Sequence, residues 1–202
     1  MTADEVAAFE RCIAGGGVAL FPADTVYGLA ADPESRSAVD RLYRLKGRPP
    51  TRPAAVMFFS LEPALAALPG LGPRTREALG RLLPGGVTAI LPNPRRLYPL
   101  ACGPDPERLG LRVPSLQGPL EPLHAVRRPV LQSSANPSGG TDARRVDDVD
   151  PSLRAAVDVV LDGGELPGVA STVIDLTGYE DGRGYEVLRA GALPPDRVAA
   201  AL

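Results

Sequence analysis

The chain is poor in the residues from which most hydrolytic and metal-dependent sites are built. Its 202 residues include one histidine, His124, and two cysteines, Cys12 and Cys102. The cysteines are isolated, with no CxxC and no metal-ligand spacing, so neither a disulfide framework nor a zinc site is supported, and a reducing cytoplasm is the default compartment. His124 has no cysteine, histidine or carboxylate partner at ligand or triad spacing. That argues against hydrolase and metal readings together and leaves it a structural or surface residue. No basic, apolar, small-residue leader opens the chain and no apolar run of about 18 residues occurs in it, so neither secretion nor a membrane span is expected. Aromatic residues make up 4% of the chain and the net charge is -2. Bases would find few stacking partners, and there is no global pull towards DNA or RNA.

Lysine is scarce as well. Lys46 is the only one, and every other basic residue bar His124 is an arginine. What the chain does have is an ordinary globular composition, 44% hydrophobic and 23% charged, enough for one domain with a substantial core. Twenty-two glycines and 23 prolines are spread between periodic apolar segments and read as turns. No repeat, low-complexity tract or domain boundary is found, so a single domain over residues 1–202 is expected.

Two stretches organise the rest. Val18 to Phe21 reads as an apolar strand stopped by Pro22, followed by a turn presenting Asp24, Thr25 and Tyr27. Polar side chains at a strand end are where open sheets place ligand sites. One helix further on come Lys46 and Arg48, a compact ammonium beside a planar guanidinium, a pair suited to a polyphosphate. Solvated charges after a helix are the plainer reading. Arg41, Arg44, Lys46, Arg48 and Arg52 fall within twelve residues and could line an anion cleft.

Thr2 and Glu5 form a capping box for a first helix carrying Val6, Phe9, Cys12 and Ile13 to about Ala14, ended by Gly15-Gly16-Gly17. Ser35 caps a second helix, through Val39, Leu42, Tyr43 and Leu45, that ends at Gly47. Ala54 to Phe59 reads as a strand, Arg74 to Leu83 as a helix and Val87 to Leu91 as a strand. Residues 93–108, with four prolines, read as a loop. Leu109 to Val113 is a strand presenting Arg112, Leu116 to Val126 a helix, and Val130 to Gln132 a strand running into the polar loop Ser133 to Gly140. Asp147 to Ala156 is helical, Val157 to Leu161, Thr172 to Leu176 and Tyr185 to Leu188 are strands, and Pro194 to Leu202 is a closing helix. Irregular alternation of helices and strands predicts a three-layer α/β domain (α+β in some schemes) with a mixed sheet.

Arg112 and Arg189 stand in or beside apolar strands, where an arginine is costly unless it pairs with an anion or faces solvent. The residues alone leave both open. The Ser133–Gly139 loop offers hydroxyls, a carboxamide and backbone N–H groups, fit for a phosphate or equally for a plain turn.

Six segments occur in order: Phe21 to Leu29, Lys46 to Pro49, Leu111 to Pro114, Ser133 to Gly139, Ser171 to Asp175 and Leu188 to Gly191. Together they resemble the YrdC/Sua5 family, the threonylcarbamoyl-AMP synthases of tRNA modification, over roughly residues 5–195. The resemblance implies a twisted mixed sheet flanked by helices around a basic cleft. It also implies formation of threonylcarbamoyl-AMP and pyrophosphate from L-threonine, bicarbonate and ATP, with Mg²⁺ accompanying the ATP. No covalent nucleophile is implied. By motif, Thr25, Arg112, Ser134 and Ser171 match the threonine pocket, and Lys46, Arg48, Arg52, Asn136 and Arg189 the ATP side, with Lys46 and Arg48 positioning the phosphates and Tyr27 shaping the pocket wall. A threonylcarbamoyl-transferase complex acting on adenosine 37 of tRNA, or the tRNA itself, would be the partner.

Two departures stand out. Ala23 replaces a threonine common in the family's first motif, and Pro53-Ala54-Ala55-Val56-Met57 replaces a bulkier segment that often ends in a polar residue or histidine. Both bear on threonine selectivity. Two other readings stay open: a non-catalytic RNA-binding protein of the same fold, drawn from the basic cluster, and a carbamoyl-transfer relative, whose usual zinc-finger and acylphosphatase-like modules are not seen.

Overall fold

The fold is taken from a computed structural model and is described for every residue except Ser138, so that part of the Ser133–Gly139 motif lies outside the described residues. The first helix, α1 (Ala3–Ala14), starts as its capping box predicts: Thr2 Oγ1 accepts from the Glu5 amide at 3.2 Å and Glu5 Oε2 accepts from the Thr2 amide at 2.6 Å. Val6, Phe9 and Ile13 form its buried stripe. Phe9 meets Phe21 and Phe59 at ring-centroid distances of 5.5 and 6.0 Å, so one aromatic cluster ties the helix to the sheet.

Strand β1 (Ala19–Pro22) turns through residues 23–26 into β2 (Tyr27–Ala31), an antiparallel hairpin in register from Ala19↔Ala30 to Pro22↔Tyr27. The sequence reading stops at a turn and misses β2. All five of its residues are buried, so Tyr-Gly-Leu-Ala-Ala shows no alternation to betray a strand. Helix α2 (Arg36–Leu45) follows, with Ser35 Oγ accepting from the Ala38 amide at 3.4 Å. Gly47 leaves it at φ 58°, a left-handed cap open to glycine, and the Arg48 amide returns to the Tyr43 carbonyl at 2.9 Å. This close places Lys46 and Arg48.

The remaining elements are β3 (Ala55–Met57), α3 (Leu61–Ala67), α4 (Pro73–Leu82), β4 (Val87–Pro92), β5 (Arg108–Arg112), β6 (Val130–Ser134), α5 (Pro151–Ala155), β7 (Val159–Val160), β8 (Thr172–Asp175), β9 (Glu186–Arg189) and α6 (Pro195–Ala201). Among the described residues the strands form one nine-stranded sheet, ordered β7-β1-β2-β6-β3-β5-β4-β8-β9. The pairs β1/β7, β3/β5 and β4/β8 are parallel and the others antiparallel. The mixed α/β sheet with flanking helices is therefore as expected.

Three local expectations are corrected. Residues 118–125 form a 3-10 helix rather than an α-helix over Leu116–Val126, because in an α-turn the ring of Pro122 would clash with the carbonyl four residues back. The predicted 147–156 helix divides into a 3-10 turn, Val146–Asp148, and α5, which Asp150 caps by accepting from the Ser152 and Leu153 amides at 2.8 and 3.3 Å. Helix α3 was not foreseen, and Pro63 in its first turn masks its periodicity. The predicted loop 93–108 is pinned by Asn93, whose Nδ2 donates to the Leu97 and Pro106 carbonyls, each at 2.9 Å.

Two strands, β6 and β3, separate β2 from β5. On a flat sheet those three ladder steps would span roughly 14 Å, beyond an arginine's reach. Yet Arg112 of β5 bonds Asp24 and Thr25 in the β1–β2 turn. The β1–β2 turn and the end of β5 therefore meet across the intervening strands, beside the cleft described next. Replacing Phe9 with alanine should lower unfolding free energy by about 3–5 kcal/mol, read from the denaturant midpoint with an unchanged slope.

Candidate functional site

A cavity of about 460 Å³ is lined by Arg48, Arg112, Ser134, Ser171 and Arg189, with the small residues Ala55 and Gly110 giving it a low floor. At one pole lies Arg112, 3% exposed. Its Nη2 donates to Asp24 Oδ1 and, at 2.6 Å, to Thr25 Oγ1. Asp24 Oδ2 in turn accepts from the Ser115 amide at 3.0 Å. Burial pushes the guanidinium pKa down and Asp24 opposes the shift. The Arg112 Nε finds no partner among the described residues.

Ser171 and Arg189 come to the same pole from β8 and β9. Arg189 Nη2 donates to the Ser171 carbonyl at 2.8 Å and to Ser171 Oγ at 3.3 Å, and the two hydroxyls of Ser171 and Thr88 lie 2.8 Å apart. Gly191 permits this arrangement, since a Cβ there would stand 2.3 Å from the Ala170 carbonyl oxygen.

At the other pole Lys46, 3% exposed, holds the loop after β6. Its ammonium donates to the Ser134 carbonyl, to the Asn136 carbonyl at 2.6 Å and to Asn136 Oδ1 at 3.2 Å. Ser134 Oγ donates to Asn136 Oδ1 at 2.6 Å, and Asn136 Nδ2 donates to the Gly140 carbonyl. Burial first, then the charges of Arg48 and Arg52, bring the Lys46 pKa down to about 8, against a pull upwards from Asp142. Arg48 donates from Nη2 to the Pro53 carbonyl, and its guanidinium sits 5.8 Å from the Tyr43 ring centroid. Burial lowers its pKa too, and its Nε also lacks a partner among the described residues.

The residues singled out from sequence thus fall into layers. Arg48, Arg112, Ser134, Ser171 and Arg189 face the cavity; Thr25, Lys46 and Asn136 stand behind and hold them. Arg52 is exposed and adds charge near Lys46. Tyr27 is a correction: it is fully buried beneath the hairpin rather than in the pocket wall, with its hydroxyl 2.8 Å from the Gly164 carbonyl oxygen and 3.0 Å from Asp162 Oδ1. Met57 is likewise fully buried and outside the cavity wall. His124 is structural, with Nε2 3.2 Å from the Leu116 carbonyl oxygen. The sequence reading missed Thr88, Gln132, Asp142 and Arg108 at the cavity, the last of them paired with Asp175. A hydroxyl in the apolar run Val-Thr-Ala-Ile-Leu was the available signal for Thr88.

Arg48 and Arg112 both line the cavity and neither has all its N–H groups satisfied among the described residues, which makes a site for anionic oxygens. Among the described residues no group of three or more His, Cys, Asp or Glu side chains could hold a metal ion, and no helix is long and apolar enough to cross a membrane.

Residues 11–191 match the Sua5/YciO/YrdC family model, described as "Telomere recombination". The threonylcarbamoyl-AMP synthase of Pyrococcus abyssi is 32% identical over 185 residues, 91% of this chain and 53% of that protein. That of Stenotrophomonas maltophilia is 36% identical over 162 residues, 77% of this chain and 83% of that one. The crystal structure of P. abyssi Sua5 complexed with L-threonine superposes with a TM-score of 0.87 at 27% identity, covering all of this chain and 58% of the other. The chain therefore spans about half the length of the Pyrococcus relative.

Replacing Asp24 with asparagine would leave the buried Arg112 charge uncompensated and should cost about 3–5 kcal/mol of stability in chemical denaturation. Lys46 gives a pH signature. Its folded pKa of about 8 lies below the ordinary 10.5, so the folded state binds this proton less tightly than the unfolded chain. Its contribution is fully present above pH 10.5 and lost as pH falls towards 8, an increment on the order of 3 kcal/mol. Stability should rise across that window, and the rise should vanish in Lys46→Met.

Proposed function

The chain belongs to the Sua5/YciO/YrdC family, and on that premise we propose that it is a threonylcarbamoyl-AMP synthase, a nucleotidyltransferase acting on L-threonine, bicarbonate and ATP. The observation that carries the reading is the pair of arginines, Arg112 and Arg48, that line one cavity with N–H groups that no described residue satisfies. Arg112, with Thr25, Ser134 and Ser171, takes the amino acid by its carboxylate. Arg48, with Lys46 and Asn136 behind it and Arg52 nearby, takes the triphosphate, and Arg189 reaches the nucleotide from the Arg112 side of the cavity, where it also holds Ser171.

The chemistry asks little of side chains as reactants. The neutral threonine amine attacks the bicarbonate carbon, and water leaves to give the carbamate. A carbamate oxygen then attacks the α-phosphorus of ATP, and the bond to the bridging oxygen breaks as pyrophosphate departs. The protein's work is to place the two reactants, exclude water from the carbamate and offset the charge on the leaving pyrophosphate. Arg48 supplies permanent positive charge at that end. Lys46 acts through the loop it holds, since its N–H groups are taken by Ser134 and Asn136. Magnesium enters as part of the nucleotide substrate, held by phosphate oxygens and water.

The product goes to a transferase complex that modifies adenosine 37 of tRNA, and a cytoplasmic setting and a single domain over residues 1–202 complete the proposal. The RNA-binding alternative draws no support from the basic cluster: Arg41 pairs with Asp158 at 2.5 Å, Lys46 is buried and Arg48 faces the cavity, so these charges do not form one exposed face.

Purified protein given ATP, Mg²⁺, L-threonine and bicarbonate should release pyrophosphate, and omission of either threonine or bicarbonate should abolish the release. Release that persists without one of them contradicts the proposal.

A further inference from the structure

Arg112 is usually expected to grip a carboxylate with two parallel N–H bonds. Here it has lost that option. A guanidinium offers two bidentate edges, Nε with Nη2 and Nη1 with Nη2, and Arg112 Nη2 is committed to Asp24 and to Thr25 Oγ1. Nη1 remains: it makes no hydrogen bond among the described residues and is not one of the fully enclosed donors, whereas Nε is buried. A carboxylate held by that nitrogen has a second oxygen that needs another donor.

The ladder provides one. Thr88 on β4 is the register partner of Arg112 on β5, lines the same cavity and is 9% exposed. Directly opposed residues in an antiparallel pair have Cβ atoms only about 4.5–5.5 Å apart. The hydroxyl also has a partner that can orient it. Ser171 Oγ accepts from Arg189 Nη2 at 3.3 Å and lies 2.8 Å from Thr88 Oγ1, a pair in which either hydroxyl can donate. With Ser171 as the donor, the Thr88 proton is left for a ligand in the cavity. The chain Arg189 to Ser171 to Thr88 then runs from a cation to a donor beside Arg112.

Resting on the functional reading above, we propose that Thr88 binds the α-carboxylate of the amino-acid substrate, its hydroxyl donating to one oxygen while Arg112 Nη1 donates to the other. Arg189, through Ser171, is a positioning residue for this contact.

The test is calorimetric titration of wild type, Thr88→Val and Thr88→Ser with L-threonine, with L-threoninamide, which lacks the carboxylate charge, and with ATP. Valine keeps the β-branched shape the strand needs and removes the donor. Thr88→Val should bind L-threonine about tenfold more weakly, the worth of one hydrogen bond to a charged group. Its affinity for threoninamide should change less than about twofold, its ATP affinity should stay at the wild-type value, and Thr88→Ser should restore threonine binding. Equal losses for threonine and threoninamide, or no loss for either, overturn the assignment. The carboxylate is common to all α-amino acids. If wild type prefers another one, the choice of threonine is wrong, and the Thr88 comparison is made with the preferred amino acid and its amide. Wild type that binds ATP and no amino acid overturns both.

Discussion

Arg112 reaches from the end of β5 into the β1–β2 turn, buried against Asp24 and Thr25, and the cleft depends on that contact. A guanidinium out of water is costly unless its charge is met and its N–H groups find acceptors. Asp24 meets the charge, and its other oxygen fastens the Ser115 amide, so one carboxylate links the hairpin to the chain after β5. Because Asp24 and Thr25 take up only Nη2, the same interaction both stabilises the fold and leaves Nη1 as a donor for a ligand.

The opposite pole solves a different problem by similar means. A buried lysine is tolerable when carbonyls satisfy its protons, and the Ser134–Asn136 loop offers them. The cost is a depressed pKa; the gain is a loop whose hydroxyl and carboxamide are fixed before any ligand arrives. Between the poles the floor is kept low by Ala55 and Gly110, register partners on adjacent strands. Neighbouring anions could lie across such a floor. Preorganisation of this kind suits a reaction whose difficulty is to keep a short-lived carbamate beside a phosphorus atom.

Much of this was legible in the sequence. Capping at Thr2 and Ser35, the glycine close after Lys46 and the apolar strands ending in Arg112 and Ser134 are local signals, and each reappears in place. What escaped was decided at a distance. Strand β2 is buried on both faces and so carries no alternation, and Pro122 turned an expected α-helix into a 3-10 one. The layering of the site was hidden for the same reason. Whether Lys46 faces the cavity or supports it, and whether Tyr27 is wall or core, depends on where Ser134 and Gly164 arrive from other strands and loops. Thr88 is the clearest case, an unremarked hydroxyl until the β4–β5 register sets it opposite Arg112.

The central claim is that one cavity holds two separate anion receptors, Arg112 for the amino acid and Arg48 for the nucleotide. The most direct measurement is the ¹H–¹⁵N spectrum of the arginine Nε groups, with Arg112 and Arg48 assigned by substitution, during titration with each ligand. L-threonine should move the Arg112 Nε signal and leave that of Arg48 in place, and ATP should move Arg48. A spectrum in which threonine moves neither signal, or ATP alone moves both to their final positions, would contradict the account.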